Sequence, residues 1–290
     1  MKKFFYVLMA AAALVAVSCE KGDDNNADNG GEENTPLEQP THRIKVLTAG
    51  DVYTYSYNED GTVAAVAASW DGQDYANYVF NYSGNNLTVV ENLEGKTAFT
   101  AVLDANKHAV EMEYFLKDEP ISLEFEYDKN GFLVSVKENG SLISLQSIVD
   151  GNVEYWTRVG DYGETNENLD ASGWRKKMHT YYAEKNIAGI HTEWNEDSQV
   201  KRWVYEANLL GRASVNVCKT AHWWGVNDSE TQTVLPNYAA KIAYYPLDLG
   251  TDGCIEQELK LYDKVEVYEA TPDTMSEDAV ATFVCEPIAK

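Results

Sequence analysis

The sequence predicts an all-β protein, an antiparallel β-meander of repeated hairpins that forms one curved sheet, either an open half-barrel or a single layer. Two observations favour this fold class. The aromatic residues are mostly tyrosine, 19 against 8 Phe and 7 Trp, and Tyr with Val and Thr is typical of half-buried strands. Short apolar runs that alternate with period two also recur along the chain, each followed by a turn. A β-sandwich is the alternative.

The first element along the chain is a predicted signal peptide over residues 1–18. Lys2 and Lys3 precede an uncharged apolar run over residues 4–17. A membrane span needs roughly 20 apolar residues, so a run of this length is typical of an export signal. The sequence therefore predicts an exported protein.

Cys19 follows the small residues Ala16, Val17 and Ser18 and precedes an acidic, polar run over residues 20–24. This arrangement resembles a bacterial lipobox, whose cysteine is acylated, and it predicts outer-membrane lipid as a partner. An ordinary secretory signal with an incidental cysteine is the alternative. Residues 19–43 are predicted to form a lipidated, disordered acidic tether, because they are too polar to repay the entropy of ordering. Residues 44–290 then form the β-meander domain.

Within that domain the apolar run before each turn ends at regular intervals of 21 to 25 residues, with one interval of 34. The last apolar residues are Tyr57, Tyr82, Leu103, Tyr127, Ile148, Tyr182 and Tyr205. Four places on, five of the seven positions hold Gly or Asn, which adopt left-handed backbone conformations at low cost. We therefore expect positive φ at Gly61 and Gly131.

The longer interval contains a polar stretch over residues 158–174, which is either a surface loop or a soft boundary within the domain. Further along, residues 219–237 are predicted to form a long loop, and residues 241–245, 256–268 and 279–285 to form strands. The cysteines of the mature chain other than Cys19 are Cys218, Cys254 and Cys285, which allow one disulfide at most. Their spacing does not identify the pair.

The segments Tyr-Asn-Glu-Asp-Gly-Thr-Val (57–63) and Tyr-Asp-Lys-Asn-Gly-Phe-Leu (127–133) resemble the Tyr-Asp hairpin repeat of Rhs-type wall proteins. Behind a lipobox and an acidic run, they look like the Bacteroidetes family of exported lipoproteins that carry a domain of unknown function built from such units. The resemblance covers roughly residues 44–215. It implies an all-β meander, an outer-membrane lipoprotein and, from residues 20–24, exposure at the cell surface. It implies no catalytic residues.

Charge and motifs limit the chemistry that the chain predicts. The formal net charge is -24, and such a surface repels phosphate backbones, so nucleic acid is not an expected partner. The histidines lie in no zinc-binding pattern, and the serines and Cys218 lie in no nucleophile motif. The sequence therefore predicts no catalytic residues, no metal site and no cofactor.

One cluster stands out as a candidate ligand platform: His222, Trp223 and Trp224. Adjacent residues of an extended chain point to opposite faces, so one of the two indoles would be exposed and could stack on a sugar or anchor a protein. The alternative is that both indoles close an open end of the sheet. The other tryptophans, Trp70 among them, are predicted to be core or sheet-face residues.

These observations favour a non-enzymatic surface lipoprotein that binds glycan or protein ligands. The second hypothesis is a periplasm-facing structural or envelope-assembly lipoprotein. The third is a glycan-processing enzyme, for which the sequence offers no catalytic constellation.

Overall fold

A computed structural model describes residues 37–116, 119–158, 175–192, 200–224, 241–244, 248–250, 253–257, 260–261 and 281–288. They belong to one compact unit that begins at Leu37. The predicted signal peptide and Cys19 lie outside the described residues. The predicted tether is too long at its carboxyl end, because the first strand begins at His42 and the backbone N–H of Thr41 already donates to Ile187 O at 2.9 Å.

The described residues form eighteen strands and one short helix, α1. Their bounds are β1 His42–Ala49, β2 Asp51–Tyr57, β3 Val63–Trp70, β4 Gln73–Ser83, β5 Asn86–Glu91, β6 Lys96–Leu103, β7 Ala109–Leu116, β8 Glu119–Tyr127, β9 Leu133–Glu138, β10 Ser141–Val149, β11 Asn152–Arg158, β12 Arg175–Lys185, α1 Arg202–Tyr205, β13 Asn216–Trp224, β14 Lys241–Tyr244, β15 Asp248–Leu249, β16 Ile255–Gln257, β17 Lys260–Leu261 and β18 Thr282–Pro287.

All eighteen strands lie in one antiparallel sheet, and strands β1 to β14 pair in chain order. Strand β17 pairs with β14, while β18 pairs with the free side of β1 and is followed by β16 and β15. The predicted antiparallel meander is confirmed. Within the described ranges the sheet is not closed, and they contain no second sheet of the kind a sandwich needs. Strands β11 and β12 pair directly, so the sheet continues across the interruption that the sequence analysis treats as a possible boundary.

The turns alternate between two ends of this meander. We call the end where residues 37–41 enter the sheet the entry end, and it carries the turns at 58–62, 84–85, 104–108, 128–132 and 150–151. The other end, which we call the distal end, carries the turns at Gly50, 71–72, 92–95 and 139–140.

Glycines and Asx residues explain why the chain reverses at these points. Gly61 and Gly131 have φ of 85° and 86°, the left-handed conformation that the repeat predicts. In the turn of Gly131, the Oδ1 atom of Asp128 accepts hydrogen bonds from the backbone N–H groups of Asn130 and Phe132, both at 2.9 Å. Such a side chain mimics a turn of backbone and fixes the reversal locally.

The predicted register of the left-handed residue is wrong at four of the seven turns. Asn86, Asn152, Asn186 and Leu209 are not among the described residues with positive φ. After Tyr82 and Ile148 the hairpin turns have two residues, so the left-handed position falls earlier, at Gly84 and at Asp150 with Gly151. After Tyr182 and Tyr205 there is no hairpin of the predicted kind.

Residues 186–215, which we call the inner segment, connect β12 to β13 across the buried face of the sheet (193–199 lie outside the described residues). The sequence predicts a strand that ends at Tyr205, whereas this residue lies in the helix Arg202–Tyr205. Within that helix the Trp203 indole stacks on Tyr78 with ring centroids 4.4 Å apart and lies 6.2 Å from the rings of Phe80 and Phe99. The inner segment therefore supplies the second side of the hydrophobic core.

The inner segment is also tied to the turns of the entry end. Leu209 O accepts from Ala109 N at 2.7 Å, Gly131 O accepts from Arg212 N at 2.8 Å, and Gly151 O accepts from Val215 N at 3.0 Å. A buried pair of charges, Arg202 and Glu206, lies 3.3 Å apart within the segment. Because unpaired backbone groups are costly to bury, these bonds fix the segment against the sheet.

Cys254 and Cys285 form a disulfide that links the residue before β16 to β18. Cys218 is buried in β13 and lies outside this disulfide. The predicted loop over residues 219–237 begins too early, because residues 219–224 belong to β13. The rest of that loop lies outside the described residues.

Candidate functional site

Two places in the described part of the molecule could bind a ligand, one at each end of the sheet. The first is a cavity of about 550 Å³ at the entry end, bounded by residues 37–41, by three turns and by the inner segment. Its lining is polar and of mixed charge, with Asp104, Asp128, Lys129 and Arg212 among the lining residues.

Several of the polar groups in this cavity hold chain segments together. Arg212 donates from Nη2 to Glu38 O at 2.7 Å and lies over the Phe132 ring, with 5.6 Å between Cζ and the ring centroid. Asp104 accepts backbone hydrogen bonds from Asn106 and His108 through Oδ1. The cavity is therefore the seam where the first residues of the domain, the turns and the inner segment join.

His108 lies buried in the wall of this seam. Its Nδ1 atom is 3.7 Å from Asp104 Oδ2, and its ring centroid is 5.2 Å from that of Tyr127. Burial lowers the pKa of His108, the Asp104 carboxylate opposes that shift, and the Arg212 guanidinium adds to it. The folded structure thus favours the neutral imidazole.

The second place is the distal end, where Trp70 and Tyr75 flank the turn between β3 and β4. These side chains are 60% and 45% exposed, and Phe115, the next most exposed aromatic side chain described, also lies towards this end. The alternation of β3 places Trp70 on the same face as the buried Val66 and Ala68. The strand extends past the core, so Trp70 lies on the core-facing side but in solvent, as a sheet-face residue and not as a core residue.

Tyr75 is held in position by its neighbours. Ala68 pairs with Ala76 and Ser69 with Asp74, so Tyr75 is the extra residue of a β-bulge in β4. Bulges redirect side chains and are common beside functional sites. The Tyr75 hydroxyl donates to Asp51 Oδ2 at 2.6 Å, and the Tyr53 hydroxyl donates to the same oxygen at 3.1 Å.

The two phenols remain protonated at neutral pH. Burial raises the pKa of Tyr53 to about 12, and burial together with the hydrogen bond to Asp51 raises the pKa of Tyr75 well above its usual range. Both hydroxyls therefore serve as donors to the Asp51 carboxylate. We call Asp51, Trp70 and Tyr75 the distal platform.

The hairpins that carry the distal platform are acidic in sequence, and Lys96, which follows them, forms an ion pair with Glu94 at 2.8 Å. Residues 46–95, which include β2, β3, β4 and β5, contain seven Asp and Glu residues and no Lys, Arg or His. Such a surface attracts cationic ligands, repels anions and imposes no electrostatic penalty on neutral ligands.

The residues of the predicted ligand platform lie at the end of β13. Trp223 pairs with Lys177 and Lys241, and His222 pairs with Met178 and Ile242, so the backbone places this end of β13 at the distal end. The side chains of His222, Trp223 and Trp224 lie outside the described residues. The predicted ligand role of these residues stays a prediction.

The described ranges contain no cluster of three or more His, Cys, Asp or Glu side chains placed to hold a metal ion. No helix in the same ranges has the length and apolar character needed to cross a bilayer.

No protein family model matches this chain, and no curated protein matches it in sequence. Among solved structures, the fold is similar to that of a porin-like protein from Bacteroides uniformis ATCC 8492, with a TM-score of 0.57 and 13% sequence identity. The likeness covers 87% of this chain and 100% of that one. At this identity the likeness concerns the fold.

Proposed function

We propose that this protein is a non-enzymatic, lipid-anchored protein of the outer membrane that binds a ligand at the distal end of its sheet. The observation that carries the proposal is the position of the exposed aromatic side chains. Trp70 and Tyr75 lie at the end of the sheet opposite to the one where the chain enters at residues 37–41. Both side chains flank one hairpin turn, and aromatic rings with one polar end and a large exposed surface are typical of ligand-binding surfaces.

The anchor is the other half of the proposal. Cys19 stands 18 positions before Leu37, and the residues between them are acidic, polar and rich in glycine and asparagine. An acylated Cys19 would attach the folded domain to the outer membrane through residues 20–36. The acidic run at residues 20–24 supports exposure at the cell surface.

The anchor is tested in cells that express the full chain or its Cys19→Ala variant. We expect the wild type to incorporate a clickable palmitate analogue and to fractionate with the outer membrane, and the variant to do neither. Cys218→Ala is the matched control, because Cys218 is a buried cysteine of the folded domain and should leave labelling intact. Equal labelling and fractionation of the wild type and Cys19→Ala would overturn the lipoprotein assignment.

Exposure is tested by adding protease to intact cells. Loss of the folded domain without lysis supports the surface location. Protection until the outer membrane is opened, with labelling retained, would favour the periplasm-facing structural or assembly lipoprotein instead.

A further inference from the structure

We propose that the distal platform binds uncharged sugar rings of a polysaccharide, with Trp70 and Tyr75 as stacking surfaces and Asp51 as a hydrogen-bond acceptor. This inference rests on the proposed ligand binding at the distal end and names the class of ligand.

Flat aromatic side chains such as these can stack on the faces of pyranose rings. A sugar ring presents C–H groups on its faces and hydroxyl groups around its edge, and aromatic rings bind apolar faces while a polar handle fixes their position. Trp70 offers 60% of its surface and Tyr75 offers 45%. The bulge at Tyr75 and its 2.6 Å hydrogen bond to Asp51 hold one ring in place before a ligand arrives. Such preorganisation reduces the entropy lost on binding.

Asp51 supplies the complementary polar group. Its Oδ2 atom accepts from both Tyr53 and Tyr75, and no described residue donates to its Oδ1 atom. A carboxylate oxygen beside two aromatic rings is a strong acceptor for a sugar hydroxyl. The same carboxylate fixes Tyr75, so ring position and hydroxyl recognition depend on one residue.

The negative charge of the residues around the distal platform limits the kinds of sugar that it can bind. Residues 46–95 contain no Lys, Arg or His, and the acidic Asp71 and Asp74 belong to the same hairpin as Trp70 and Tyr75. Uronates, sulfated glycans and phosphorylated glycans would therefore be repelled, whereas neutral hexose or pentose polymers meet no electrostatic penalty.

The small exposed area of the distal platform argues against a folded protein as its ligand. A specific protein interface buries about 800 Å² on each partner, whereas Trp and Tyr bury roughly 150–250 Å² each even when they are covered completely. The partly exposed pair is the right size for one or two sugar rings.

The test is affinity gel electrophoresis of the full-length lipoprotein in detergent micelles, in gels that contain amylopectin, arabinoxylan, galactomannan, mixed-linkage β-glucan, yeast mannan or levan. Polygalacturonate and chondroitin sulfate gels provide the acidic comparison. We expect at least one neutral polymer to retard the wild type and the acidic polymers to leave it unretarded. Trp70→Ala should weaken retention of that polymer by roughly tenfold, the equivalent of about 1.4 kcal/mol of stacking.

Tyr75→Phe keeps the ring and removes the hydroxyl that bonds to Asp51, so it should weaken retention by a smaller factor than Tyr75→Ala. The matched control is Val284→Ala, which truncates a 55% exposed apolar side chain in β18 and should leave retention unchanged. Thermal melting of every variant verifies that the sheet stays folded.

Failure of every neutral polymer to retard the wild type overturns the carbohydrate assignment, as does equal retention of the wild type and Trp70→Ala. A second experiment places a photo-crosslinking residue at position 70 in living cells. It distinguishes an error in the sugar assignment from an error in the proposed ligand binding at the distal end. A specific protein adduct without polysaccharide retention would leave a binding role at the distal end and refute the sugar. The absence of both retention and an adduct would refute the sugar assignment and the proposed ligand binding at the distal end.

Discussion

The entry end and the distal end are built from the same hairpin repeat, yet they differ in what their side chains do. At the entry end, turn residues such as Asp104 and Asp128 bond to backbone within their own turns, and the inner segment closes over them. At the distal end, Trp70 and Tyr75 project into solvent. The contrast indicates that stability is concentrated at one end, which leaves residues at the other end available for binding.

The largest expected effect compares a tryptophan of the core with the exposed tryptophan of the distal end. Trp203→Ala removes a buried indole that packs on Tyr78, Phe80 and Phe99, and it should lower the free energy of unfolding by about 3–5 kcal/mol. Trp70→Ala removes an exposed indole and should change it by about 0.5 kcal/mol or less. Urea denaturation measures both. Similar losses in the two variants would show that Trp70 stabilises the fold as a core residue does, which would contradict its assignment to a binding surface.

The disulfide gives the next largest effect. Replacing Cys254 and Cys285 together by serine should lower the free energy of unfolding by about 2–4 kcal/mol, because the crosslink between β18 and the residue before β16 is lost. Wild type in the presence of a reductant is the control and should behave like the double variant. A double variant as stable as the oxidised wild type would show that strand pairing alone secures the carboxyl-terminal strand.

Substitutions at two glycines of the entry end distinguish the cost of a left-handed backbone conformation from the cost of a close contact. A Cβ at Gly61 would meet open space, so Gly61→Ala should cost only the left-handed conformation, about 1 kcal/mol. A Cβ at Gly211 would lie 2.7 Å from Gly131 O and from the Tyr127 ring, so Gly211→Ala should cost about 2–3 kcal/mol.

Gly131→Val should fall in the same range, since a β-branched residue resists positive φ and the new Cβ would lie 3.1 Å from His108 Cε1. Chemical denaturation ranks the three variants. If Gly61→Ala costs as much as Gly211→Ala, contact with the inner segment does not decide stability at the entry end.

The smallest expected effect is the pH dependence of stability that His108 causes at the entry end. Burial lowers the pKa of His108 in the folded state below the ordinary value of about 6.5, so the unfolded chain takes up the proton first as pH falls. The contribution of His108 is present above that ordinary value and decreases as pH falls through it towards the folded pKa. The Asp104 carboxylate, the Arg212 guanidinium and the Tyr127 ring face the imidazole.

The difference in unfolding free energy between wild type and His108→Gln, measured from pH 8 to pH 5, should therefore shift in favour of the variant at low pH. A difference that stays constant over this range would show that His108 titrates alike in both states.

The sequence was sufficient to predict the meander, because period-two alternation and turn residues are local signals. The sequence also contains two hairpin signals that do not belong to the spacing of 21 to 25 residues, Asp71-Gly72 and Asn139-Gly140. In the structure both residues of each pair have positive φ, as a type I′ turn requires. That spacing counts only every second turn, so the turns between them were not predicted.

The inner segment and the distal platform could not be predicted in the same way. Trp203 owes its position to Tyr78, Phe80 and Phe99, more than 100 residues away in the chain, and a four-residue helix leaves no periodic signal. Trp70 has the alternation of a core residue, and only the length of β3 relative to the core exposes it. The bond between Tyr75 and Asp51 joins strands that are not adjacent in the chain.

The most direct test of the division between the two ends is amide hydrogen exchange of the full-length protein with and without the polysaccharide that retards it most. The account predicts slower exchange on binding in the hairpin around residues 70–75 and around Asp51, and unchanged exchange in the entry-end turns at 104–108 and 128–132. Protection at the entry-end turns, with residues 70–75 unaffected, would place the ligand in the seam cavity and contradict the account.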